Sequence, residues 1–181
     1  MNDEPLTIRL DDDRTLRFRG MIDRIDATED GVMVISDYKT GKGNQYGKLD
    51  EDPTQQGTLL QLGLYAEAVA QKLGADRISS AYWMVNAEVG FKRLGYSWMQ
   101  AHRERLHEVL TAITDGISAG VFAAVPGDWQ SFRGTYENCK YCDFDAVCPR
   151  GRAEHATDKA AAAELEVRVA LTGRPEKQDA P

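Results

Sequence analysis

The stretch G-M-I-D-R-I-D-A-T-E-D-G-V-M-V-I-S-D-Y-K-T-G, Gly20 to Gly41, constrains this chain more than any other. It reads as two strands joined by a tight turn. Aliphatic residues fill both runs, and Glu29-Asp30-Gly31 between them is a hairpin signal. Side chains alternate along a strand, so Asp37 and Lys39 share one face and Tyr38 lies on the other. Asp23 belongs to the preceding strand. A three-residue loop sets Asp23 opposite Asp37, and a two-residue Asp30-Gly31 loop sets them diagonal. Spacing alone allows both. In either case two carboxylates and an ammonium converge at one end of the hairpin.

That set suits a hard divalent cation with a lysine beside it. Asp23 and Asp37 are the expected metal ligands, with the carbonyl of Tyr38 as a third, for Mg²⁺ or Mn²⁺ in phosphodiester hydrolysis. Lys39 would orient or deprotonate water and offset transition-state charge. The plainer reading is a cross-strand salt bridge on a surface turn. Apolar flanks at Ile22, Ile25, Val34 and Ile35 weigh against it, because charge in a mostly buried sheet needs a reason. Arg24 and Asp26 point to the other face and read as a structural ion pair or rim residues.

Before the hairpin, Leu6–Leu10 reads as a strand, Asp11-Asp12-Asp13 as a polar turn, and Thr15–Ile25 as a long second strand in an antiparallel meander. After it, residues 41–56 are glycine-rich and polar, a loop with a mobile segment. Leu59, Leu62, Tyr65, Ala66, Val69 and Leu73 recur at helical spacing, which predicts a helix over Thr54–Leu73 capped by Gly74. Arg77–Val85 and Phe91–Tyr96 read as strands. Ser97 is the expected N-cap of a long helix to Ala119. An alanine-rich helix follows from Thr157 or Asp158 to Leu171, ended by Gly173 and Pro175, and the tail is expected to be disordered.

Gln61 and Tyr65 sit four apart on one helix face. Their functional reading places them beside Lys39 or a strand phosphate, and their bland reading is a helix turn at the core edge. The three cysteines follow C-x2-C-x5-C at Cys139, Cys142 and Cys148, with Pro149 next. Three thiolates point to an iron–sulfur cluster whose fourth cysteine lies elsewhere, or to zinc completed by His155 or water. His102 and His107, five apart near Arg103 and Arg105, read as a solvated helix face.

Net charge is −7, from 22 basic and 29 acidic residues, which argues against a general electrostatic nucleic-acid binder. The 42% apolar content supports a packed core. No stretch reaches the length of a membrane span, so the expected location is the cytoplasm, with no membrane partner.

Taken together, G-M-I-D-R-I-D, D-Y-K-T-G, Q-L-G-L-Y and C-x2-C-x5-C-P, in this order, resemble the RecB-type nuclease domain of the PD-(D/E)xK superfamily. The match is closest to AddB-like and RecB-family exonucleases, with the CRISPR-associated Cas4 nucleases as runner-up. The resemblance implies an α+β fold, a restriction-endonuclease-like central mixed sheet flanked by helices, with a C-terminal cysteine segment. It implies a nuclease core over residues 1–128, an iron–sulfur segment over 129–152 and an appended helix and tail over 153–181. Residue by residue it carries metal binding to Asp23 and Asp37, the catalytic lysine to Lys39, the glutamine–tyrosine motif to Gln61 and Tyr65, and [4Fe–4S] ligation to Cys139, Cys142 and Cys148.

The activity implied is a metal-dependent DNA exonuclease in repair and recombination, acting on single-stranded or unwound ends, with a helicase partner or a fused helicase-like region. Members also carry an upstream helix with a further ligand and a lone upstream cysteine. This chain holds neither, so a truncated, weakly active domain is expected. The alternative is a non-catalytic module that binds DNA ends or protein.

Overall fold

The computed structural model describes residues 4–140 and 142–172. The expected helix stop at Gly173 and Pro175 and the expected tail lie outside the described residues. The chain divides into two compact units, Met1–Thr111 and Ala112–Pro181.

The first unit opens with a two-stranded antiparallel sheet, β1 (Leu6–Arg9) on β2 (Thr15–Phe18). Leu6, Ile8 and Leu10 alternate into the core. The long strand expected over 15–25 is two strands. It breaks after Phe18, and β3 (Arg24–Ala27) enters a separate four-stranded sheet, so the expected single meander does not form. Gly20 and the exposed Met21 lie in the break, where a strand has neither side-chain packing nor a cross-strand partner to hold it.

That sheet runs β3-β4-β5-β6, with β4 at Met33–Lys39, β5 at Ile78–Met84 and β6 at Arg93–Ser97. The β3–β4 and β5–β6 pairs are antiparallel, and β4–β5 is parallel. A parallel pair needs a crossover, and α1 (Gln61–Leu73) supplies it. Leu62, Ala66 and Val69 are buried on α1, and Ala66 and Val69 share a core with Ile35 and Ile78. Leu106 and Leu110 of α2 (Gln100–Ser118) join the same core. Gly63 makes that approach possible, since a Cβ there would stand 3.3 Å from Leu106. Buried Glu67 of α1 is ion-paired to Arg103 of α2. The result is an α+β fold with a central mixed sheet flanked by helices, consistent with the restriction-endonuclease-like architecture.

Two helix starts differ from expectation. α1 begins at Gln61, because residues 54–58 are committed to turns: Gln55 and Gln56 hold φ of 41° and 58°, and buried Thr54 bonds to Asp52. Ser97 ends β6 and does not cap α2; the Met99 amide donates to Nδ1 of His102 instead, at 3.2 Å. The expected stop of α1 is present, with Gly74 in the left-handed region at φ 64°.

In the second unit, β7 (Trp129–Gln130) and β8 (Thr135–Tyr136) form a short hairpin. Trp129 meets Tyr136 edge-on at 5.0 Å. The alanine-rich helix is two helices, α3 (Arg152–Lys159) and α4 (Glu166–Thr172). Ala160 and Leu165 at the break are both buried, so packing overrides the helical propensity of the alanine run. No helix among the described residues is long and apolar enough to cross a membrane.

Candidate active site

The hairpin takes the three-residue loop. The Thr28 amide donates to the Val32 carbonyl at 2.9 Å and the Gly31 amide to the Thr28 carbonyl at 3.0 Å, with Gly31 at φ 82°. Arg24 pairs with Ser36 and Ile25 with Ile35. Extended by one step, this register sets Asp23 opposite Asp37. The pairing is not continued by backbone. Oδ2 of Asp23 accepts the Tyr38 amide at 2.8 Å, so a side chain closes the ladder where β3 has stopped.

Asp37 is only 4% exposed, and its Oδ2 lies 2.6 Å from Nζ of Lys39. Strand alternation puts them on one face, as expected, and that face is the one α1 covers. The Lys39 ammonium also donates to Oε1 of Gln61 at 3.1 Å, and Nε2 of Gln61 donates to the Tyr65 hydroxyl at 3.4 Å. The five predicted residues Asp23, Asp37, Lys39, Gln61 and Tyr65 are thus joined through the end of β4 and the first turn of α1. Arg24 and Asp26 form the expected ion pair away from this group, at 2.6 Å.

Burial works against the Lys39 charge, but the adjoining Asp37 carboxylate outweighs it and raises the lysine above its ordinary pKa. Lys39 is therefore held charged at neutral pH, which suits it to stabilising negative charge. Burial, and then the nearby Asp37 charge, raise the Tyr65 phenol, which keeps it a neutral hydroxyl.

Sequence reasoning missed what lies beneath. Tyr82 of β5 is in register with Asp37 across the parallel pair and is fully buried. With Tyr46, Leu49, Leu62 and Met84 it forms a second core. Tyr46 and Leu49 come from the loop expected to be mobile, which is anchored instead. Asp52 in that loop is gripped by Arg105, at 3.0 and 3.3 Å. Period-two reading of Ile78, Ser80, Tyr82 and Met84 would have put Tyr82 on the inner face; pairing across a crossover leaves no local signal.

His102 also departs from expectation. It is packed against Tyr96 at 4.6 Å and Trp98 at 6.0 Å, and burial lowers its pKa.

The expected cofactors are not supported. Among the described residues, no three His, Cys, Asp or Glu side chains group so as to hold a metal ion. At the hairpin only two carboxylates meet. Asp23 accepts the Tyr38 amide and Asp37 is ion-paired to the Lys39 ammonium, so both carboxylates are engaged within the protein. The expectation of Mg²⁺ or Mn²⁺ on Asp23, Asp37 and Tyr38 is corrected accordingly. So is that of a [4Fe–4S] cluster or zinc on Cys139, Cys142 and Cys148. These are free thiols, Cys142 exposed and the others half-buried, strung along two short 3₁₀ turns and their flanks. No thiolate quartet or Cys/His set forms among the described residues.

The sequence model of the PD-(D/E)XK nuclease superfamily matches residues 3–149. No curated protein and no solved structure matches the chain.

Proposed function

The chain belongs to the PD-(D/E)XK nuclease superfamily, and from that membership we propose that it is a deoxyribonuclease of RecB type, hydrolysing DNA from single-stranded or unwound ends during repair or recombination. A helicase partner or a fused helicase-like region would supply such ends. One observation carries the reading: Asp37, Lys39, Gln61 and Tyr65 form one connected chain of contacts, closed on the strand side by Asp23. Lys39 would meet the scissile phosphate and offset the charge that builds on its oxygens during in-line attack. Asp37 keeps the ammonium charged, and Gln61 fixes its direction. Tyr65 holds Gln61 and presents a hydroxyl toward the same place.

Cleavage of end-labelled single-stranded DNA tests this. Lys39→Ala is expected to slow it by about 10²–10³-fold, the usual cost of one donor aimed at developing negative charge. Release from the ends, with circular single strands left intact, would identify the exonuclease. Undiminished cleavage by Lys39→Ala would refute the role given to Lys39.

A second reading has its own support. Among the described residues no third acid joins Asp23 and Asp37; the first accepts the Tyr38 amide and the second is ion-paired to Lys39. A nuclease fold that binds DNA ends or protein without turnover accounts for that. Retention of labelled single strands with no product, in both the parent and Lys39→Ala, would favour it.

A further inference from the structure

Lys39 is held by more than carboxylate and amide. Its Nζ stands over the ring of Tyr82, 5.2 Å from the centroid, within range for attraction between a cation and an aromatic face. That ring has no exposed surface, so water does not weaken the contact from the ring's side. The Tyr82 hydroxyl has no hydrogen-bond partner among the described residues. Whatever Tyr82 does for Lys39, it does with its ring.

The ring is itself fixed. Tyr46 stacks on it with centroids 4.1 Å apart and planes at 27°. Tyr46 sits in a short 3₁₀ turn, Asn44–Tyr46, five residues beyond the end of β4. Gly43 starts that turn at φ 80°, and a Cβ there would come within 2.8 Å of Sδ of Met84, so the turn lies flat on β5. The loop that follows Lys39 in sequence thus folds back to support the ring that faces Lys39 in space.

We propose that Tyr82 is a positioning residue for Lys39, and that Tyr46 sets Tyr82, so the loop after β4 governs how the ammonium is presented. This rests on the reading of Lys39 as the cation that meets the phosphate. A core tyrosine with only a packing role would be replaced by leucine at a cost to stability alone. A positioning tyrosine, replaced by leucine, also frees the ammonium, and phenylalanine restores the parent behaviour.

The test labels folded protein with an N-hydroxysuccinimide ester and reads each lysine by mass spectrometry. Lys42, exposed and paired with Glu88 at 2.9 Å, is the internal reference. Tyr82→Leu is expected to raise Lys39 labelling about three- to tenfold, the range of a lost cation–aromatic contact, with Lys42 unchanged. Tyr82→Phe is expected to return Lys39 to the parent rate. In the DNA cleavage assay, Tyr82→Leu should lower kcat with KM held, and Tyr82→Phe should rescue it. Should Tyr82→Leu fail to fold, Tyr46→Leu removes the stack from the loop side, and the same rise in Lys39 labelling is expected. Unchanged Lys39 labelling in a folded leucine variant, or a phenylalanine variant that behaves like the leucine one, overturns the proposal. Labelling does not depend on turnover. A protein that cuts no DNA yet shows the labelling pattern refutes the nuclease reading and leaves the positioning of Lys39 standing.

Discussion

Two regions of this molecule carry chemistry-bearing side chains in suggestive order, and only one brings them together. In the first unit, residues as far apart in sequence as Asp23 and Tyr65 are joined through strand ends and one helix turn. In the second, Cys139, Cys142 and Cys148 lie within ten residues and yet form no metal-holding group among the described residues. Regular structure explains the difference. A strand converts a spacing of two into one face, and a helix converts a spacing of four into one stripe. Among the described residues the cysteine stretch has short 3₁₀ turns and neither strand nor α-helix, so its spacing maps onto no fixed direction.

This contrast can be attacked first where the sheet is tightest. Gly95 of β6 has no room for a side chain: a Cβ would lie 2.1 Å from the Ser80 carbonyl oxygen and 2.5 Å from Cα of Ala81. Gly95→Ala is expected to destabilise the first unit by about 3 kcal/mol, read by chemical denaturation, and to lose DNA cleavage with it. A stable Gly95→Ala protein would break the claim that the sheet framework sets the site.

The clamp on the loop after β4 comes next. Asp52 bonds the amides of Thr54 and Gln56 as well as Arg105. Both members of the ion pair keep about a quarter of their exposure, so Asp52→Ala is expected to cost about 2 kcal/mol, within the range for charged hydrogen bonds. Burial alone would raise the Asp52 pKa; the Arg105 guanidinium and the Thr54 and Gln56 donors overcome that and depress it. A depressed acid stabilises the fold above its unfolded value and loses that contribution as pH falls through the folded one. Acid unfolding of the parent should therefore set in below the ordinary carboxylate range, about pH 4. Asp52→Ala should flatten that limb, and an unchanged limb would place the clamp elsewhere.

Smaller effects sharpen the picture. His102 is held below its ordinary pKa by burial, against a backbone hydrogen bond at Ser97 that favours its charge. Its contribution is complete above about pH 6.5 and falls away as pH drops through the lowered value. The expected loss is under about 0.5 kcal/mol, because water screens a partly exposed ring. His102→Asn should remove that slope from a stability–pH curve. Least of all is expected at the exposed thiol: Cys142→Ser should shift stability by no more than about 0.5 kcal/mol. A larger loss would mean that the cysteine stretch has a structural role its side chains do not display.

Much of the site was legible because it depends on local periods. The pairing of Asp37 with Lys39 on one face, the Gln61–Tyr65 stripe and the Gly74 stop follow from strand and helix repeats read off the chain. The elements that departed from expectation share a different cause. Arg19 to Asp23 continues the apolar pattern only through Met21 and Ile22, and with Gly20 and an exposed Met21 the chain leaves one sheet for another there. Thr54 to Leu60 extends the helical apolar pattern, but Asp52 captures the nearby amides and Gln55, Gln56 and Gly57 turn left-handed. Ala160 to Leu165 has high helical propensity and breaks for burial. In the last two cases a contact from beyond the segment decides, and a linear pattern holds no record of it. Tyr82 was overlooked for the same reason, since its place beside Asp37 is set by a parallel pairing across a helix.

The bond from Asp23 to the Tyr38 amide has a bearing on how this site is dissected by scanning mutagenesis. One carboxylate both closes a strand pair and places its charge near the Tyr65 phenol. Alanine at position 23 removes both, and the resulting phenotype mixes a frayed hairpin with an altered centre. Asparagine keeps an oxygen that can accept the amide and removes only the charge. A comparison of Asp23→Asn with Asp23→Ala therefore separates architecture from electrostatics at one position, with hydrogen exchange of the Tyr38 amide as the reporter of the first and DNA cleavage as the reporter of the second.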